Sequence, residues 1–334
     1  MAYRIGLTGD VMLGRLVNTR QRRRPPEAVW GDLLDRLRSC DGLCINLECC
    51  LSTRGEPWRR TDRAFHFRAD PTWAIPALER AGVDVCALAN NHVLDFEEEA
   101  LRDTLDALDA AGIARTGAGR RLEEALDPAV VAVGDLAVAV VAFTDNVPEY
   151  AASETTSGTA YIKIDVDDDE TRETVREALA RAREPDPDLV IASLHWGPNM
   201  VERPPDEFRA FGRWLVDEGV DVVHGHSAHV FHGIEVHDGK PILYDTGDFV
   251  DDYAVDRRLH NDRSFLFELE VDDGRLTELR LRPTEIDDCT VHTASPDAAE
   301  WSRERMRSLS SEYGTTFKRE GADLVLSLEG DEID

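Results

Sequence analysis

Short apolar segments alternate with longer segments of helical periodicity along this chain, and this alternation limits the possible fold more than any other feature. The apolar segments, rich in Val, Ile and Leu, predict strands at 4–8, 42–47, 83–89, 129–143 with a turn at Gly134-Asp135, 189–194, 220–224, 241–244, 265–271 and 276–282. Amphipathic helices are predicted at 26–38, 71–81, 96–111, 169–183, 206–218 and 295–313. Such alternation is typical of an α/β protein whose sheets are covered by helices.

Polar side chains stand where six of the predicted strands end. In chain order they are Asp10, Glu48, Asn90-Asn91-His92, His195, His224 and His226 with His229 close behind, and Asp245 with Asp248. Each group alone has a structural explanation, since an Asp can cap a turn and a buried His can be satisfied by the backbone. In parallel sheets, however, ligands bind beyond the carboxyl ends of the strands. The joint pattern therefore predicts one polar pocket.

The residue types in this pocket favour a metal site. Carboxylate, amide and imidazole ligands suit Mn, Fe, Zn or Mg rather than a thiolate zinc site. Two divalent ions held together need a bridging carboxylate, for which Glu48 is the best candidate, and a metal-bound hydroxide would then be an in-line nucleophile.

The order of the motifs resembles the CapA family of poly-γ-glutamate capsule biosynthesis proteins. The segments that carry the resemblance are GDVMLGR (9–15), NLE (46–48), NNHVLDF (90–96), HWG (195–197), HGHSAH (224–229) and YDTGDF (244–249). It covers about residues 3–285. The CapA family is similar to the calcineurin-like metallophosphoesterases. The resemblance implies a metallophosphatase-like two-sheet β-sandwich flanked by helices, in four α/β/β/α layers, with two divalent metal ions.

The resemblance also implies a role for individual residues. Asp10 matches the carboxylate ligand of the first motif and also counts with the catalytic groups, while Glu48 takes the bridging position. Asn91 matches the amide ligand of the second metal, and His92 the catalytic imidazole that assists the leaving group. His195 matches the ligand of the fourth motif.

Two positions depart from the family pattern. Met12 stands where phosphoesterases usually have a His, and Ser227 replaces the first His of the final His-x-His. His229 keeps its place, and His226 is our preferred source of the missing imidazole, with His224 as the alternative ligand. The loss of a ligand leaves two alternatives, one in which both metal sites bind an ion and one in which the first does not.

Further residues are assigned supporting roles. Arg15 could clamp a phosphate or carboxylate of the substrate, or it could be a surface residue on a helix. Trp196 is predicted to wall the substrate pocket, with simple packing as the alternative. Asp95, Asp245 and Asp248 are predicted to orient the His ligands from behind.

The charge of the chain is strongly negative. It has 67 Asp and Glu against 38 Lys and Arg, a formal net charge of -29, and only three of the basic residues are Lys. This predicts adaptation to high salt, although codon bias also favours Arg over Lys. A surface of this sign excludes a broad nucleic-acid groove. Metal ions and Arg15 can still reverse the sign locally, so a small or polymeric anionic substrate is compatible with it.

The remaining features indicate a soluble, single-domain protein. No signal peptide or membrane-spanning segment is recognised, which predicts a cytoplasmic location. The six Cys are expected to be reduced thiols rather than zinc ligands, and the charge run 165–170 a helix start rather than a calcium loop. We expect one metallophosphatase-like domain at 1–290, followed by a C-terminal helix and a frayed acidic tail at 291–334.

Two classes of function fit these features. The first is a dinuclear metal-dependent hydrolase acting on a phosphoester or, with less support, a γ-glutamyl amide. The second is a non-catalytic, metal-stabilised accessory protein that binds a polyanion during assembly or export of the capsule polymer. A cytoplasmic phosphodiesterase or nucleotidase would share the metals and differ in the pocket walls.

Overall fold

The computed structural model describes residues 1–328, so the predicted frayed segment 329–334 lies outside the described residues. The strands are β1 Tyr3–Val11, β2 Gly42–Leu47, β3 Cys50–Leu51, β4 Arg68–Ala69, β5 Val85–Ala87, β6 Ala114–Thr116, β7 Ala118–Gly119, β8 Ala129–Val133, β9 Leu136–Thr144, β10 Gly158–Thr159, β11 Leu189–His195, β12 Val222–His226, β13 Ile234–His237, β14 Lys240–Leu243, β15 Asp248–Val250, β16 Arg263–Asp272, β17 Arg275–Asp287, β18 Thr290–Thr293, β19 Lys318–Glu320 and β20 Asp323–Ser327. The helices are α1 Arg15–Gln21, α2 Leu34–Leu37, α3 Pro71–Ala81, α4 Glu97–Ala111, α5 Leu122–Ala125, α6 Asp169–Arg183, α7 Asp206–Asp217 and α8 Pro296–Ser311, with 3-10 helices at Pro26–Leu33 and Pro148–Tyr150.

Two large sheets form the centre of the fold. One has the strand order β19-β20-β17-β16-β1-β2-β5-β6, with β15 beside β1 and β18 beside β17. The other has the order β13-β14-β12-β11-β9-β8. Within the first sheet β1, β2, β5 and β6 are parallel, and within the second β9, β11, β12 and β14 are parallel.

The two sheets face each other and carry helices on their outer sides. Ile5, Phe267 and Ile191 belong to the buried cluster between the sheets. A second cluster joins the larger sheet to α3 and α4, and a third joins the smaller sheet to α6 and α7. The predicted α/β fold with four α/β/β/α layers is therefore confirmed.

Local sequence signals explain where several elements begin and end. Asp70 caps α3 by accepting a hydrogen bond from the Thr72 amide, and Gly82 ends this helix with a φ of 78°. Asp168 caps α6 in the same manner, so the charge run is a helix start as predicted. The predicted helix 26–38 is wrong as one element, because Gly31 has a φ of 49° and interrupts it.

The C-terminal part of the described chain packs against the sheets. β18 and β20 both pair with β17, and Met306 of α8 lies in the cluster between the sheets. The division of the chain at residue 290 stays a prediction. Across residues 1–328, no helix combines the length and the apolar character that crossing a bilayer requires.

All six Cys have free thiols, and five of them are buried. Burial raises the pKa of Cys44 and Cys49 to about 12, so these thiols are protonated at neutral pH. None of the Cys belongs to either group of side chains in residues 1–328 that could hold a metal ion.

Candidate metal centre

The predicted ligands meet between the carboxyl ends of the parallel strands of both sheets. Register explains part of this meeting, because Asp10 of β1 lies beside Asn46 of β2 and beside Asp248 of β15. His195 of β11 likewise lies beside His226 of β12. The larger sheet thus supplies carboxylates, and the smaller sheet supplies imidazoles.

Asp10 is the residue that both sets of ligands share. It is fully buried, and its Oδ1 lies 3.8 Å from His195 Nδ1 and 3.6 Å from His226 Nδ1. Its Oδ2 lies 3.4 Å from His229 Nδ1. Asp10, His195 and His226 form one group able to hold a metal ion, and Asp10, Glu48 and His229 form a second.

Glu48 reaches both groups as well. The carboxylate is fully buried, and its Oε1 lies 3.5 Å from His195 Nε2 and 3.7 Å from His92 Nε2. Oxygen atoms of both Asp10 and Glu48 therefore lie within 4 Å of the His195 imidazole. The bridging role of Glu48 stays a prediction.

Several buried polar atoms at this centre have no hydrogen-bond partner within residues 1–328. They include both oxygens of Glu48, Oδ1 of Asn91 and Nε2 of His195. A buried polar atom without a partner costs free energy comparable to a lost hydrogen bond. Because these atoms are of the types that bind Mn, Fe, Zn or Mg, the residues present fit a divalent metal ion.

The electrostatics of the buried groups agree with this fit. Burial, together with the charge of Asp10, raises the pKa of Glu48 well above its ordinary value. Burial also raises the pKa of Asp10, but the hydrogen bond to His229 and the imidazoles of His195 and His226 outweigh it and lower the pKa overall. Burial lowers the pKa of His195 to about 3, which keeps this imidazole neutral and able to bind a cation.

Asp95 holds the His92 imidazole from the side of the ring opposite Glu48. Its Nδ1 donates to Asp95 Oδ2 at 2.5 Å, so its Nε2 faces Glu48. Arg63 contacts the same pair, with Nη2 at 3.2 Å from Asp95 Oδ1 and 3.3 Å from His92 Nδ1. Burial lowers the pKa of His92, and Asp95 partly opposes that shift.

In the motif that departs from the family pattern, the preference for His226 over His224 as a ligand stays a prediction, because Nδ1 of His224 also has no hydrogen-bond partner within residues 1–328. His226 and His229 lie in the two ligand groups, whereas His224 Nε2 donates to the backbone oxygen of Thr8 at 2.9 Å. His229 Nδ1 donates to Asp248 Oδ1 at 2.8 Å. Asp245 accepts the backbone amides of Ala228 and Gly247, so it fixes the loop that carries His229.

The two positions that depart from the family pattern, Met12 and Ser227, have different surroundings. Met12 is fully buried in the cluster beneath α3 and α4. Ser227 presents its backbone amide to Asp10 Oδ2 at 3.3 Å, and its φ is 112°. The main chain at Ser227 therefore contacts the carboxylate of the predicted ligand Asp10, at a position where the resemblance implies an imidazole.

The two predicted substrate-binding residues have different surroundings. Arg15 lies near the centre, with its guanidinium 4.2 Å from the Phe65 ring and 5.8 Å from the Tyr253 ring. Trp196 is only 3% exposed, packs on Phe208 at 5.1 Å and donates from Nε1 to the Tyr244 carbonyl. The prediction that Trp196 walls the pocket does not fit this position, because its ring lies in the cluster beneath α7.

Three polar residues at the centre, Asn46, Asn146 and Arg63, were missed by the sequence reasoning, whereas Asn90 was expected in the polar pocket. Asn46 donates to Asp10 Oδ1 at 2.6 Å, Asn90 donates to Asn46, and Asn146 donates to Ser227 Oγ. Asn46 lies on β2 two residues before Glu48, which follows the last residue of the strand, so the alternation of side chains along the strand could have indicated it. Arg63 lies on a long connection whose path no sequence pattern indicates.

Comparisons with known proteins agree with these observations. Residues 4–253 match a family model described as "Bacterial capsule synthesis protein PGA_cap". The chain is 36% identical over 329 residues to a "Probable polyglutamine synthesis accessory protein" of Mycobacterium tuberculosis, covering 93% of this chain and 84% of that protein. It is 28% identical over 256 residues to "Capsule biosynthesis protein CapA" of Bacillus anthracis, covering 75% and 60%. It is 24% identical over 323 residues to "PGA biosynthesis protein CapA" of Bacillus subtilis, covering 96% and 81%.

Proposed function

The chain belongs to the PGA_cap family of bacterial capsule synthesis proteins, which has a metallophosphatase-like fold, and on that premise we propose that it is a dinuclear metal-dependent hydrolase. The observation that carries the proposal is the buried set of carboxylate, amide and imidazole atoms without partners among residues 1–328. A protein that needed this region only for stability would gain by filling it with apolar side chains.

The residues divide into those that would hold the ions and those that would move a proton. Asp10, Glu48, Asn91, His195, His226 and His229 would hold the ions. Divalent ions bound there would supply Lewis acidity and neutralise charge on the attacked group. His92, whose Nδ1 proton is held by Asp95, has its Nε2 lone pair directed into the centre, so it would accept a proton at Nε2 from the attacking water and pass that proton to the leaving group.

The proposed substrate is a phosphoester and, with less support, a γ-glutamyl amide. The metallophosphatase-like fold of the family supports a phosphoester substrate, and the name of one relative, "PGA biosynthesis protein CapA", supports the amide. Arg15 is the proposed contact for an anionic group of either substrate. Its Nη1 has no hydrogen-bond partner within the described residues.

Turnover of aryl phosphates and of poly-γ-glutamate by purified protein, with Mn at high salt, tests the proposal. We expect hydrolysis of one of the two, and loss of at least about a hundredfold in His92→Ala, the usual contribution of a general acid. His237→Ala is the matched control, because His237 bonds Asp217 far from the centre. Bound metal without turnover of either substrate would contradict a hydrolase.

A second candidate is an accessory protein that binds a polyanion while the polymer is made or exported. The 36% identical relative, named an accessory protein, favours this possibility. Expression of the His92→Ala variant in a host strain that lacks the wild-type protein distinguishes the accessory role from the catalytic one. Full complementation of the polymer phenotype by this variant would favour the accessory role, and failed complementation with intact metal binding would favour catalysis.

A further inference from the structure

Two guanidinium groups, Arg63 and Arg15, stand beside the metal centre without the bidentate acidic partner that other arginines of this chain have. Arg115 places Nε and Nη2 on Asp109 at 2.7 and 2.9 Å, and Arg203 places the same atoms on Glu312 at 2.8 and 2.6 Å. Such two-point pairing is the usual way for a guanidinium to satisfy its donors.

Arg63 is the more buried of the two. Its side chain is 10% exposed, and it uses one nitrogen, Nη2, to reach the Asn91 carbonyl and Asp95. No hydrogen bond from Nε or Nη1 to another residue of 1–328 is present, so the other edge of the guanidinium keeps its donors.

Arg15 also has guanidinium N–H groups without a hydrogen-bond acceptor among residues 1–328. Its side chain is 27% exposed, and its Nη1 lies 3.4 Å from Asp252 Oδ1 without a hydrogen bond. The guanidinium instead lies over the rings of Phe65 and Phe67, at 4.2 and 5.2 Å from their centres. Contact with aromatic faces positions the charge and leaves the N–H groups in the guanidinium plane available.

The aromatic residues place both groups next to the ligands. Phe67 packs edge-on to His92 at 4.5 Å, and Tyr253 packs edge-on to His229 at 5.0 Å. Arg15 contacts both of these rings, and Arg63 contacts His92 directly. Arg63 therefore adjoins the His92 imidazole directly, and Arg15 is separated from it by the Phe67 ring.

Arg63 is also held in place by its own segment. The connection 52–67 is tied to Asp95 at two points, where the Trp58 amide donates to the Asp95 carbonyl at 2.8 Å and the Phe67 amide donates to Asp95 Oδ2 at 2.6 Å. Asp95 is itself the partner of His92. A segment fixed in this way presents a preorganised charge, which binds an anion at a lower entropic cost than a free side chain.

We propose that Arg63 and Arg15 form an oxyanion subsite beside the metal centre that binds a phosphate or carboxylate group of the substrate. The inference deepens the proposed function by assigning the substrate an anionic group recognised by planar donors. In a chain with a net charge of -29, an anionic substrate needs fixed cations at the point where it binds.

Titration calorimetry with inorganic phosphate and with γ-glutamylglutamate tests the subsite. It is done on EDTA-treated protein and again on the Mg²⁺-loaded protein, so a protein that fails to hydrolyse anything can still be scored for anion binding. We expect Arg63→Gln to weaken binding of the preferred probe about tenfold, and Arg15→Gln to weaken it less. The probe that binds at least tenfold more tightly identifies the recognised group as phosphate or carboxylate.

Matched variants separate binding from folding. Arg59→Gln removes an exposed arginine from the same segment and should leave the affinity unchanged. Arg63→Lys keeps the charge without the planar fork, so its affinity should fall between those of wild type and Arg63→Gln. The subsite is refuted if folded Arg63→Gln binds both probes as wild type does, or if wild type binds neither probe in either metal state.

Discussion

The buried carboxylate of Glu48 lowers the stability of the metal-free protein and suits the binding of a cation. Its carboxylate is fully buried, has no hydrogen-bond partner within residues 1–328, and has a pKa raised by burial and by Asp10. A charge in such a position is costly unless a cation accompanies it.

Glu48→Gln should therefore stabilise the metal-free protein and weaken its hold on metal. We expect EDTA-treated Glu48→Gln to unfold with a free energy about 1–2 kcal/mol higher than wild type, because a buried carboxylate is replaced by a neutral amide. The rise in melting temperature on adding Mn should shrink. Thermal unfolding with and without Mn measures both, and exposed Glu149→Gln is the control. A less stable metal-free variant would contradict this account of Glu48.

His232 provides a pH test away from the metal ligands. It is 4% exposed, its Nε2 donates to the Val201 carbonyl at 2.9 Å, and burial lowers its pKa from 6.5 to about 4. The unfolded chain therefore binds a proton below pH 6.5 that the folded chain does not bind until about pH 4. His232 thus takes stability away as the pH falls through this window.

His232→Gln keeps a donor near Nε2 and cannot titrate. Between pH 7.5 and 5 wild type should lose about 2 kcal/mol more stability than the variant, as the proton linkage of one such group requires. Urea unfolding of both proteins at the two pH values measures the difference. Equal losses in the two proteins would show that His232 titrates normally in the folded state.

At the scale of elements, β1 connects the packing of the fold to the metal centre. The strand carries Asp10 one residue before its end at Val11, and the backbone of Gly9 lies so close to the loop before β15 that an added Cβ would overlap the Gly247 carbonyl oxygen. Gly9 is therefore required by the close approach of two chain segments, and Asp10 is positioned by that approach.

Gly9→Ala should destabilise the protein by about 2–3 kcal/mol and reduce its metal affinity, because β1 and the loop must separate. Gly6→Ala in the same strand is the matched control, since its Cβ would meet the ends of two side chains, Leu43 Cδ1 at 3.0 Å and Cys40 Sγ at 3.1 Å. That variant should lose less than about 1 kcal/mol and bind metal normally. Equal effects of the two substitutions in denaturant and metal titrations would contradict the role given to Gly9.

Elements with strong local signals were the ones that the sequence predicted well. The helix at 71–81 has its Asp cap, its first-turn Pro and its terminal Gly, and the structure has it with the same bounds. The short strands β19 and β20 were missed, because their pairing with each other and of β20 with β17 is decided by tertiary contacts. At the metal centre, the residues at strand ends could be predicted from hydrophobic periodicity and residue type. The position of Arg63 could not, because it depends on the path of a long connection.

At the scale of the whole molecule, the charge of -29 is distributed among 67 acidic and 38 basic residues. Many arginines pair with carboxylates at the surface, as Arg203 does with Glu312, yet the acidic excess remains. Such an excess destabilises the compact state through self-repulsion until salt screens it.

We expect the melting temperature to rise when KCl increases from 0.1 to 2 M. The screening length falls from about 10 Å at 0.1 M to about 3 Å at 1 M, which removes repulsion between surface carboxylates that are not in contact. Differential scanning calorimetry measures the shift, and choline chloride at equal concentration tests whether the cation matters. A melting temperature that is flat or falls with salt would contradict adaptation to high salt.

The central claim is that Asp10 and its neighbours hold divalent metal ions, and metal analysis after Mn loading and gel filtration tests it most directly. We expect about two Mn per chain in wild type and in the control Asp167→Asn, which changes an exposed carboxylate. Asp10→Asn should retain less than half of that amount, because both groups of ligands include Asp10. Wild-type protein that holds no stoichiometric Mn, or Asp10→Asn that holds as much as wild type, would contradict the claim.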